Sequence, residues 1–185
     1  SLYVAYNVPT LATHEDDFYA LTMLAGVLDG GYAARIETSL VRIQNVVAGA
    51  SASYTGISRG DGLFTLSAIP APGETLESVE AALEAELQKL RDYLPTEEEM
   101  KRVRAGVLSG RIYGMDSLFG QAMELGQLST LDIDWQLADQ FAERLAQVTA
   151  EDVQRVARTW LVPQRRTVAQ VVAGNSGQAT EGEQP

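Results

Sequence analysis

The chain has 185 residues, 45% of them hydrophobic and 21% charged, which suits one globular domain able to bury roughly 70% of its unfolded surface. A formal net charge of −11 excludes a global electrostatic footprint for nucleic acid or anionic lipid. Zero cysteines remove disulfides, thiolate nucleophiles and Cys-ligated metals, and a lone histidine, His14, excludes any site that needs two imidazoles from this chain.

Residues 2–8 are rich in Tyr and Val and read as a strand stopped by Pro9. Thr13 with Asp16 three positions on forms an approximate capping box, opening a helix with Phe18, Leu21, Leu24, Ala25 and Leu28 on one face. Asp29-Gly-Gly31 ends it, since glycine relieves the steric cost of a left-handed C-cap. A shorter helix over 33–43 places Ile36, Leu40 and Ile43 together. Small apolar residues over 46–54 and the run 63–69 read as two strands, an antiparallel pair joined through Gly60-Asp-Gly62.

The second half is helical. Thr75 caps a helix bearing Val79, Leu83, Leu87 and Leu90. Pro95 and the box Thr96/Glu99 open another, with Glu97 and Glu98 at the positive end of its dipole. Helical patterns follow over 117–129, 134–146 and 151–161, the last capped by Thr149 with Asp152; Pro163 ends it, and 167–172 reads as a closing strand. The result is one α+β domain over 1–173, a mostly antiparallel sheet packed against several helices, followed by a Gly, Ser, Gln, Glu and Pro tail over 174–185 with nothing to bury.

The usual catalytic chemistries find no footing in this sequence. His14-Glu-Asp-Asp17 looks superficially like a ligand set, but a catalytic zinc usually takes three protein ligands, commonly with two His, and helix-dipole complementarity explains the carboxylates. A serine nucleophile has no base beyond His14 and no Gly-x-Ser-x-Gly elbow, while Lys89 and Lys101 lie on surface-like helix positions. The acidic groups Glu97-Glu-Glu99 and Asp132-x-Asp134 show no convergence. Gly30-Gly31 and Gly60-Asp-Gly62 lie in the wrong contexts for phosphate loops. Arg102, Arg104 and Arg111, and Arg155, Arg158, Arg165 and Arg166, read as two stripes that make surface ion pairs or bind an acidic partner.

No stretch approaches the roughly 18 consecutive apolar residues of a membrane span, and no basic region with a following apolar run opens the chain. It begins directly in strand-like sequence, as a segment of a longer polypeptide would, so the absence of a targeting signal here says nothing about location.

Four stretches carry a resemblance. They are Leu24-Ala-Gly-Val-Leu-Asp-Gly-Gly-Tyr-Ala-Ala-Arg-Ile36, Gly49-Ala-Ser-Ala-Ser-Tyr54, Pro95-Thr-Glu-Glu-Glu-Met-Lys-Arg-Val-Arg104 and Val148-Thr-Ala-Glu-Asp-Val-Gln-Arg-Val-Ala157. In this order they resemble the non-catalytic domain of the pitrilysin/insulinase zinc metallopeptidases, which include the mitochondrial processing peptidases, over about residues 2–173. The resemblance implies a layered α+β domain that walls a peptide chamber. It also implies a zinc site in a His-x-x-Glu-His domain of the same parent chain or a partner subunit, with no cofactor, catalytic residue or metal ligand here. Peptide is the implied substrate, with no nucleic-acid or membrane partner, and exported bacterial relatives favour the periplasm. Many such domains supply an Arg and, seven positions later, a Tyr that contact substrate. The matching positions here are Val41 and Ala48, so the role does not carry over, and the spacing assigns it to neither Arg42 nor Tyr54. The alternative is a structural assembly subunit similar to the core proteins of the respiratory cytochrome bc complex.

Overall fold

The computed structural model describes residues 1–172; the tail expected from Gly174 lies outside them. Alternation along Leu2–Val8 (β1) turns Leu2, Val4, Tyr6 and Val8 into the core and leaves Tyr3 and Asn7 exposed. Val47–Thr55 (β2), Gly62–Pro70 (β3) and Arg166–Gln170 (β4) complete an antiparallel sheet in the order β2-β3-β1-β4. Register places Val4 against Leu66 on one side and Val168 on the other, and Ala52 against Leu66. The strand pair and the closing strand expected from sequence are all present.

The helix Glu15–Asp29 (α1) lies under the sheet and is buried far beyond one stripe: Phe18, Ala20, Leu21, Met23, Leu24, Val27 and Leu28 are all inside. Each fully buried Leu or Met stabilises the fold by roughly 1.5–3 kcal/mol, so this helix is the centre of the core. Outside it pack Leu76–Asp92 (α2), Glu97–Met115 (α3), Leu118–Thr130 (α4), Leu137–Gln147 (α5) and Ala150–Trp160 (α6). Thr75, Thr96 and Thr149 cap α2, α3 and α6 through reciprocal boxes with Ser78, Glu99 and Asp152. Gly26 makes the contact of α1 with α3 so close that a Cβ there would overlap Val103 Cγ1.

Two local expectations are corrected. The residue that caps α1 is His14, without a side-chain bond, because the Thr13 hydroxyl is taken up in a tight turn with Thr10 (Thr10 N–H to Thr13 Oγ1, 3.0 Å). The segment over 33–43 is a π-helix, Ile36–Ile43, closed by i→i+5 bonds such as Gln44 N–H to Ser39 O at 2.9 Å. Its wider winding keeps Ile36 and Leu40 inside but swings Ile43 out, to 75% exposure. The left-handed residue that follows α1 is Gly31 (φ +104°), one position beyond the Gly30 cap.

Candidate functional site

The π-helical segment feeds β2 through Asn45, held at φ +52°, and this corner carries the positions singled out from sequence. Val41 is half-buried against the core. Ala48 is exposed where the β2–β3 register slips between Val47 and Gly49, so a bulge presents only a methyl group. Arg42 is folded back on its own segment: Nη2 donates to Tyr32 O and Thr38 Oγ1, both at 2.9 Å, and the guanidinium lies 4.0 Å from the Tyr32 ring centroid. Tyr54 is half-buried between Phe64 and Phe18, with ring centroids at 6.3 and 5.9 Å, and its hydroxyl donates to Pro9 O at 2.6 Å. Burial, with the Asp17 charge adding to it, pushes the Tyr54 phenol well above its ordinary range. It is a structural donor in this geometry.

Strand β2 is one edge of the sheet. Its Ala52 N–H turns away from β3 and donates to Asp29 Oδ2 at 3.0 Å, so a carboxylate from the end of α1 blunts the edge where another strand would pair. The outer sheet face is open: Tyr3 and Ile69, 46% and 58% exposed, flank the bonded pair Ser51 and Ser67 (Oγ–Oγ 2.8 Å), with Ser53 and Thr55 further along. Small side chains there let another backbone approach closely.

The first turn of α1 does more than complement the dipole. Asp17 is buried and accepts from Arg155 Nη1 at 2.5 Å and from Trp160 Nε1 at 2.8 Å, tying α1 to α6 across 138 residues of sequence. His14 stands edge-on to the Trp160 ring, centroids 5.7 Å apart. The zinc associated with the resembled family does not fit here: Asp17 is already held by two donors, and no group of three or more His, Cys, Asp or Glu is placed to hold a metal among the described residues.

The arginine stripes dissolve into internal ties. Arg104 donates to Val148 O at 2.9 Å, Arg111 to Glu124 at 2.7 Å, Arg158 to Arg91 O at 2.5 Å, and Arg166 pairs with Glu80 at 3.0 Å. Arg165 lies over Trp160, and Arg102 has its Nε and Nη2 buried without a partner among the described residues. Neither acidic run converges on a reacting centre: Glu99 is bound by Arg35, Asp134 receives the Gln136 N–H, and Asp132 sits in a left-handed turn. Lys89 pairs with Glu86 at 2.6 Å. Sequence reasoning missed the Asp17–Arg155–Trp160 cluster, because helical spacing carries no sign of a contact so far along the chain.

Comparison with known proteins places this geometry. The family model described as Peptidase M16 inactive domain matches residues 1–107, more than half of the chain. No curated protein matches. Among solved structures, the inactive peptidase domain from Bordetella parapertussis superposes with a TM-score of 0.84 at 23% identity, over 97% of this chain and 94% of that one. A protease from Helicobacter pylori gives 0.82 at 20%, over 90% of this chain and only 40% of its own length. A chain of complex III2 from Candida albicans gives 0.71 at 14%, over 91% and 41%. At these identities the likeness is one of fold, and the chain spans less than half of the H. pylori protease. The family model decides membership: this chain belongs to the M16 peptidases, as an inactive domain.

Proposed function

We propose that this domain forms chamber wall and peptide-contacting or inter-domain surface beside a zinc site carried by a His-x-x-Glu-His domain, in the same parent chain or in a partner subunit. The observation that carries the reading is the open outer face of the sheet, where Tyr3 and Ile69 stand exposed around a floor of serines while Leu2, Val4, Tyr6, Phe64 and Leu66 on the opposite face are buried in the core. An apolar-rimmed, small-residue sheet face suits a second layer brought by a neighbouring domain. Extended peptide is the substrate class, recognised through main-chain bonds at a sheet edge. Pairing on β2 requires the Asp29 carboxylate to leave Ala52, which makes β4 the readier edge.

The test is reconstitution. The isolated chain supplied with zinc hydrolyses no peptide, and adding it to the separately produced His-x-x-Glu-His domain restores hydrolysis. Turnover by the isolated chain above a heat-inactivated control overturns the reading.

A second reading, a structural assembly subunit without peptidase role, draws on the fold likeness to the complex III2 chain and on Val41 and Ala48, which offer neither guanidinium nor phenol. It expects the chain in an assembly with no zinc domain.

A further inference from the structure

A cavity of about 660 Å³ opens between the first turn of α1, the last turn of α5 and the first turns of α6. Its wall carries four carboxylates, Glu15, Asp16, Asp17 and Asp152, against two guanidiniums, Arg144 and Arg155. Both cations already have partners: Arg144 lies 3.3 Å from Glu15, and Arg155 lies 2.5 Å from Asp17 and 3.7 Å from Asp152. Four negative charges less two positive leave the cavity with an excess of two, and Asp16 makes no ion pair among the described residues.

Tyr19 lines the cavity and is only 2% exposed, yet its hydroxyl has no hydrogen-bond partner among the described residues. A buried polar atom left unpaired is destabilising, so the Tyr19 hydroxyl calls for a partner that the described residues do not supply. A metal does not answer, because no three donors converge among the described residues. An anion would meet the excess negative charge.

We infer that this cavity is a subsite for the cationic tip, guanidinium or ammonium, of a basic side chain. Its N–H donors satisfy Asp16, its charge offsets the carboxylate excess, and the Tyr19 oxygen accepts a further bond. The volume suits a side chain rather than a bare ion. That the cation belongs to a peptide rests on the function proposed above; that the cavity selects a cation does not.

The test titrates the 185-residue chain with N-acetyl-argininamide and with its uncharged citrulline counterpart, following the Trp160 indole N–H, which bonds Asp17 at the cavity wall. The arginine probe gives a saturable shift, the citrulline probe binds about tenfold more weakly or worse, and Asp16→Asn and Tyr19→Phe each weaken the arginine probe about threefold. Tyr19→Phe leaves thermal stability unchanged or raised, since no group among the described residues uses the hydroxyl. The inference is overturned by no saturable shift to about 10 mM arginine probe, by equal binding of both probes, or by two variants that bind like the parent. Arginine binding by a chain that travels with no zinc domain keeps the subsite and discards the peptidase reading; the converse result does the opposite.

Discussion

Replacing Tyr54 by Phe separates a structural phenol from a substrate contact. The substitution keeps the ring between Phe64 and Phe18 and removes only the bond to Pro9 O. Pro9 is buried, so its carbonyl loses a donor that water does not readily replace. The loss is about 1–2 kcal/mol, below the upper end for an orphaned acceptor because the apolar contacts survive. For a domain of this length that corresponds to a melting midpoint lower by roughly 2–8 °C. Urea unfolding with unchanged m-value reads it directly. A second readout is alkaline titration. Burial, followed by the Glu84 charge, pushes the Tyr6 phenol up to about 12, and Tyr54 moves in the same direction. Both pKa values are higher in the folded state, so their contribution is complete below the ordinary value near 10.0 and is lost as pH rises through the folded values. In Tyr54→Phe the late-ionising signal shrinks. Unchanged stability together with altered peptide binding refutes the structural assignment.

Three further substitutions probe the core and its ties. Gly26→Ala, which in an open helix would gain up to about 1 kcal/mol, instead costs about 1–3 kcal/mol from overlap with Val103, and in a Val103→Ala background the cost disappears; stabilisation by Gly26→Ala alone contradicts the packing. Asp17→Ala leaves Trp160 Nε1 without its acceptor and Arg155 with only the more distant Asp152, and costs about 2–3 kcal/mol in urea unfolding, discounted because Arg155 is nearly half exposed, with a shifted indole resonance; an effect under about 0.5 kcal/mol removes Asp17 from its role as the α1–α6 tie. Burial works to raise the Glu99 carboxyl, but the Arg35 bond and the Thr96 cap outweigh it and hold the group below its usual range. Glu99→Gln therefore keeps the cap and loses about 1 kcal/mol at neutral pH, a difference that is full above the unfolded value of 4.5 and fades as pH falls through the lower folded value; a difference independent of pH contradicts the ion pair.

What was legible in the sequence is what short spacing encodes. The caps at Thr96 and Thr149 each need one residue and a partner three positions on, and both form as read. The same pattern at Thr13 fails because Thr10, three residues before it, competes for the hydroxyl. Ile43 fails for a different reason: an α-helical period was applied to a segment that winds as a π-helix, and one added residue per turn moves its third apolar residue to solvent. The arginines were the least legible, since whether a guanidinium faces solvent or a carbonyl 44 residues away, as Arg104 does at Val148, depends on the folded topology. The cavity at α1 was half visible. Its carboxylates stood in one run, but Arg144, Asp152 and Arg155 come from the far end of the chain, and nothing local marks Tyr19 as lacking a partner.

The central claim, that this inactive M16 domain serves a zinc site it does not carry, is tested most directly by capturing the native protein from its source cells and sequencing everything recovered. The account predicts a His-x-x-Glu-His sequence in stoichiometric amount, in the same polypeptide or in a tight partner, with zinc in the captured material. Recovery of an assembly with neither that motif nor zinc contradicts it and leaves the structural-subunit reading standing.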